Sequence, residues 1–103
     1  MSAETLGEQA AVVACLAGLA VGHPTLPAGY FVVSWHVPGE LIVQLDSPCK
    51  VEAWREALGV DTGLVRVGRC GEQASLEFKA TVYGVDFRVY AVYEQTTSEA
   101  GAA

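Results

Sequence analysis

Positive charge is absent from the first 46 residues. All six basic residues come later: Lys50, Arg55, Arg66, Arg69, Lys79 and Arg88. They stand against twelve acids, for a net charge of −6. A nucleic-acid backbone is held by a stripe of Lys and Arg that neutralises successive phosphates. No such stripe exists here, which argues against direct nucleic-acid binding. The acids are scattered, so the chain does not read as a nucleic-acid mimic either.

Long apolar runs are lacking too. Residues 10–21 are all apolar or small, whereas a membrane span needs about 18 or more such residues. Val12-Val13-Ala14-Cys15 loosely resembles a lipoprotein cleavage site. The residues before it carry Glu4 and Glu8 and no Lys or Arg, so the positive region of a signal peptide is missing. A buried helix accounts for the run, and no membrane association is expected.

Cysteine is sparse and odd in number: Cys15, Cys49 and Cys70. There is no CxxC pair and no His/Cys cluster, so no metal site is expected. Free thiols fit a reducing cytoplasm. Gly68 and Gly71 open no helix, so a phosphate-binding glycine loop is missing and no cofactor is expected. Charge is scarce throughout. Only 17% of residues are charged and 51% are hydrophobic, against about 25% charged in an average soluble domain. A domain this small has little interior to spare. The surplus apolar surface is therefore expected to meet another chain, as a homodimer or a protein partner.

What is present reads as a single α+β domain over residues 1–94, followed by a small, polar tail over 95–103 expected to be disordered. A first helix is expected over residues 4–21. Ser2 or Thr5 caps it, and Thr5 with Glu8 has capping-box spacing. Leu6, Ala10, Val13, Ala17 and Ala20 recur at helical spacing, and Val12, Leu16 and Leu19 widen the stripe. Gly22 and Pro24 end it. After a stiff connector over 23–29, residues 30–37 read as a strand. Phe31, Val33, Trp35 and Val37 share one face; Tyr30, Val32, Ser34 and His36 share the other. Pro38-Gly39 turns the chain into a second strand over 40–46, with Leu41, Val43 and Leu45 on one face.

Ser47-Pro48 opens a second helix, which stops at Gly59. An extra short strand near 64–67 is compatible with the pattern. A final hairpin follows. Leu76, Phe78, Ala80 and Val82 alternate with Glu77, Lys79, Thr81 and Tyr83. After Gly84, Phe87, Val89 and Ala91 alternate with Asp86, Arg88 and Tyr90. The order is α-β-β-α-β-β, an antiparallel four- to five-stranded sheet with two helices packed on one face. The other face stays open.

That open face is the leading candidate site: Tyr30, Ser34, His36, Gln44, Lys79, Thr81, Tyr83, Arg88 and Tyr90. Tyr and Arg are enriched where proteins bind proteins; the bland alternative is an ordinary solvated face. Cys49 is the one candidate nucleophile. It sits in the first turn of the second helix, where free N–H groups favour a thiolate, with His36 as a base at the end of the first strand. No third orienting group is apparent, and a small packed residue is the simpler account. Asp61-Thr62-Gly63 matches the aspartic-protease triplet, but it follows a helix rather than an early strand and reads as a turn. His23 reads as a helix-end residue, Cys15 as core, and Gly68-Arg69-Cys70-Gly71 as a loop with an exposed thiol.

Three stretches carry a resemblance: His23-Pro24-Thr25-Leu26-Pro27; Glu52-Ala53-Trp54-Arg55-Glu56-Ala57-Leu58-Gly59; and Thr81-Val82-Tyr83-Gly84-Val85. The pattern, over about residues 10–93, resembles small uncharacterised proteins of actinobacteria and their phages. The resemblance implies a cytoplasmic bacterial or phage setting and no particular activity. The combined expectation is a small cytoplasmic protein-binding or adaptor module, of a phage or integrated element, using the open sheet face. The alternatives are a thiol-dependent enzyme or small-ligand binder centred on Cys49, and a structural component of a phage particle.

Overall fold

A computed structural model describes residues 5–34 and 36–94. The expected Ser2 cap, the helix start at Glu4, the facing of Trp35 and the disordered tail lie outside these residues. At the first helix the capping box forms as its spacing predicts. Thr5 Oγ1 accepts from the Glu8 N–H at 3.3 Å, and the Thr5 N–H donates to Glu8 Oε1 at 3.0 Å. The box opens a 3₁₀ turn, Leu6–Gln9, which runs into helix α1, Ala10–Gly22. Only Val12 and Leu19 of α1 are buried, although the helix is apolar all round.

Five strands follow the helix: β1 (Tyr30–Val33), β2 (Glu40–Leu45), then after helix α2 (Pro48–Leu58) β3 (Arg66–Cys70), β4 (Gln73–Val82) and β5 (Val85–Tyr93). They form one sheet in the order β1-β2-β5-β4-β3, and the fold is α+β. The sheet is mixed rather than wholly antiparallel, because β2 and β5 run parallel at its centre. The β1-β2 and β4-β5 pairings are antiparallel as expected, and so is β3-β4, whose residues 68–70 were expected as a loop but extend the short strand instead. Parallel neighbours need a long crossover. Helix α2 and the β3-β4 hairpin together supply it, so two antiparallel units join side by side.

Helix α2 keeps the boundaries written in its caps. Pro48 follows the Ser47 cap, and Gly59 ends it at φ 70°. The Gly59 and Val60 N–H groups bond the carbonyls of Glu56 and Arg55, both at 3.1 Å, which is the Schellman arrangement. The core lies between helices and sheet. Leu41, Val43, Leu45, Phe78, Phe87, Val89 and Ala91 project from the strands onto Val12, Leu19, Val51 and Trp54. These are the strand positions that alternation assigns to one face.

Two departures matter for the surface. Strand β1 stops at Val33 rather than residue 37. The Val37 N–H donates to Ser34 Oγ at 3.0 Å and the Glu40 N–H to the Val37 carbonyl at 3.2 Å, so the chain turns instead of extending. The β4-β5 hairpin turns through Tyr83 and Gly84 at φ 53° and 77°. Positive φ at both positions is the type I′ pattern, which favours Asn-Gly. A tyrosine held there is strained. Tyr83→Asn is expected to raise stability by about 1 kcal/mol, measured by urea unfolding.

Candidate functional site

Strand pairing assembles the open face row by row. One row crosses all five strands: Tyr30, Gln44, Tyr90, Glu77 and Arg66. The next holds Val32, Ile42, Arg88 and Lys79, and a third holds Glu40, Asp86 and Thr81. Directly paired residues project to the same side of a sheet. Tyr30, Gln44, Lys79, Thr81, Arg88 and Tyr90 therefore share one face. The other three candidates lie at its margin or off it. Ser34, just past β1, keeps the register by donating its N–H to the Glu40 carbonyl, at the margin of the face, whereas His36 lies in the turn beyond. Tyr83 stands at the hairpin tip, 91% exposed.

The electrostatics of this face are unusual for so acidic a chain. Lys79 lies directly opposite Arg88, and Arg66 directly opposite Glu77. Arg88 Nε donates to Glu77 Oε2 at 3.0 Å, and the Arg88 guanidinium sits 5.4 Å from the centre of the Tyr90 ring. Three cations thus surround one carboxylate. Like charges directly opposite across strands are destabilising. Lys79 forms no ion pair among the described residues. By contrast the cations of α2 are matched: Lys50 Nζ lies 2.8 Å from Asp46, and Arg55 pairs with Glu52. These contacts hold the Asp46 and Glu52 carboxyls below their usual range, the hydrogen bond from Lys50 or Arg55 being the main cause in each. Arg66, Glu77 and Lys79, with Leu64 and Phe78, line a hollow of about 350 Å³.

On the helix side runs an apolar groove of about 450 Å³. Leu16, Ala17 and Ala20 of α1 form one wall, the connector's Leu26 and Pro27 another, and Phe31 and Trp54 complete it. Val13 and Ala17 carry it on into a second hollow reaching Leu6. Its polar contributions are slight: Trp54 Nε1 is engaged by the Pro27 carbonyl at 2.8 Å, and His23 stands at the end of α1.

The remaining motifs fall apart geometrically. Cys49 is exposed in the first turn of α2, after β2 ends, while His36 lies before β2 begins. Six residues at about 3.3 Å each separate the two, so the structure does not bring the suggested pair together. Asp61 Oδ1 accepts from the Gly63 N–H at 2.8 Å, which makes the protease-like triplet a turn. Cys15 is half-buried, and burial pushes its thiol pKa up. Among the described residues no three His, Cys, Asp or Glu side chains cluster as metal ligands. No described helix is long and apolar enough to cross a membrane.

Arg66 and Glu77 escaped the sequence reading of the site. Alternation already placed Glu77 beside Lys79, but Arg66 joins only through the β3 register, and the sequence showed β3 faintly. The groove was signalled by charge: from Gln9 to Gly39 there is no Asp, Glu, Lys or Arg. Comparison with protein-family models, curated proteins and solved structures gave no match.

Proposed function

We propose that this chain is a small cytoplasmic protein-binding module that takes an acidic, partly apolar segment of a partner on its open sheet face. The Lys79–Arg88 cross-strand pair beside Arg66 carries this reading, with Glu77 bonded to Arg88 and Glu40 and Asp86 one row away. Lys79 and Arg88, directly opposite each other, repel, and a carboxylate arriving from outside relieves the repulsion. Charge-assisted hydrogen bonds to Arg and Lys then hold it. Tyr30, Val32, Ile42 and the half-buried Tyr90 flank the cations and offer apolar contact to neighbouring residues of the segment. A nucleic-acid backbone fits less well, since its long run of phosphates meets the repulsion of the whole acidic molecule. The three unpaired thiols support a reducing compartment.

Selection of displayed random peptides on the wild-type protein is the test. Enrichment of sequences pairing Asp or Glu with aromatic or aliphatic residues is expected. Their affinity should fall about tenfold or more in Lys79→Glu, the scale of a lost charge-assisted contact, and should weaken with salt. Selection of peptides with no acidic bias, or binding indifferent to Lys79→Glu, would overturn the reading.

A further inference from the structure

We propose that two copies of this chain pair edge to edge through β1, joining their sheets into one. This pairing is independent of what the open face binds.

Strand β1 is an edge strand, and its hydrogen-bond parity is fixed by one contact. The Ser34 N–H donates to the Glu40 carbonyl at 3.3 Å. In an antiparallel ladder the main-chain groups alternate in direction. Tyr30 and Val32 therefore turn theirs to β2, while Phe31 and Val33 turn theirs outward. The Val33 carbonyl accepts from Gln9 Nε2 at 3.4 Å. The Phe31 N–H and carbonyl meet no partner among the described residues.

Exposed edges invite pairing, and proteins blunt them with charge. The far edge, β3, carries Arg66 and Arg69. Strand β1 reads Tyr-Phe-Val-Val, with Tyr30 77% and Val32 49% exposed. It carries no charge, and neither do the α1 and connector segments beside it. In a chain at net −6, two copies repel each other over most approaches. Residues 9–39 bring no like charges of their own to the seam, and Asp46, which stands beside Ala28, Gly29 and Tyr30, has its charge paired with Lys50. An antiparallel edge is also its own complement about a two-fold axis.

A stable interface takes about 800 Å² from each partner, more than a four-residue edge supplies. The remainder has to come from the helix layers. Standing normal to the sheet, the axis puts both helix layers on the same side, so the apolar grooves that Phe31 helps to line flank the seam. Centring the axis on Phe31 lets the two Phe31 residues exchange both hydrogen bonds. Tyr30 then lies opposite Val32 of the partner subunit, as a non-hydrogen-bonded pair with Cα atoms about 4.5 Å apart. That separation is within disulfide reach.

Cysteine pairing tests the register. In a background with Cys15, Cys49 and Cys70 changed to serine, Tyr30→Cys and Val32→Cys variants are mixed and oxidised. Covalent dimer is expected from the mixture and little from either variant alone. Sedimentation of the wild type should give twice the chain mass. Phe31→Pro removes the outward N–H, and with it the ring that packs on Trp54, while leaving the donors of the β2 ladder in place; it should weaken the dimer at least tenfold with circular dichroism unchanged, and Phe31→Leu, which keeps the N–H, should weaken it less. If the proline variant unfolds, the mixed cross-link still decides. A wild type that stays monomeric at millimolar concentration would overturn the proposal. So would a dimer that fails to cross-link in the mixture, since its seam would lie elsewhere.

Discussion

Trp54→Ala is expected to lower the stability of this domain by about 3–5 kcal/mol. The indole is 2% exposed and joins three parts of the chain. It projects from α2, donates through Nε1 to the Pro27 carbonyl of the connector, and packs against Phe31 of β1 with ring centres 5.9 Å apart. Truncation removes a large buried surface and leaves the Pro27 carbonyl without its donor. Domains of this size are stable by only about 5–15 kcal/mol, so the loss takes a large share of the total. Trp54→Phe separates the two causes. It keeps most of the packing and forfeits the hydrogen bond, at about 1–3 kcal/mol. Urea unfolding followed by circular dichroism should rank wild type above Trp54→Phe and that above Trp54→Ala. Equal midpoints for the two variants would show that the ring contributes little beyond its hydrogen bond.

Gly29→Ala is expected to cost about 1–3 kcal/mol or more through a single methyl group. A Cβ at Gly29 would lie 2.6 Å from the Gln44 carbonyl oxygen and 2.7 Å from Leu45 Cδ2. The Leu45 side chain is buried in the core and has little room to withdraw. The Gln44 oxygen is backbone, on the residue paired with Tyr30. Relief therefore means shifting the start of β1 away from β2. Gly18 of α1 supplies the control, because a Cβ there meets nothing within 4 Å. Gly18→Ala is expected to gain about 0.5–1 kcal/mol from its better helix propensity. Opposite signs for the same chemical change would tie the Gly29 cost to the close approach of the two chains.

Local chemistry explains what was legible in the sequence. Thr5 with Glu8, Ser47-Pro48 and Gly59 place helix ends by interactions within a few residues, and these ends fell close to where they were expected. Strand alternation sorted Leu41, Val43, Phe78, Phe87 and Val89 onto the core face for the same reason. The parallel β2-β5 pairing is a contact between distant segments, and no local signal specifies it. Strand β1 ran short because Ser34 bonds back into the turn, which competes with extension. The site suffered in proportion. His36 falls off the face because the strand ends before it, and Arg66 joins only through the β3 register. Tyr83 was assigned to the face by alternation, yet the turn residue takes positive φ and leaves the strand.

Lys79, set directly opposite an Arg88 already paired with Glu77, is the cation left for a partner's carboxylate. A double-mutant cycle of Lys79→Gln and Arg88→Gln, measured by urea unfolding at low salt without any ligand, tests it most directly. A repulsive coupling of about 0.2–1 kcal/mol is expected, fading at about 1 M salt, where the Debye length is about 3 Å. A coupling of zero or of attractive sign would contradict it, because the fold itself would then already satisfy both charges.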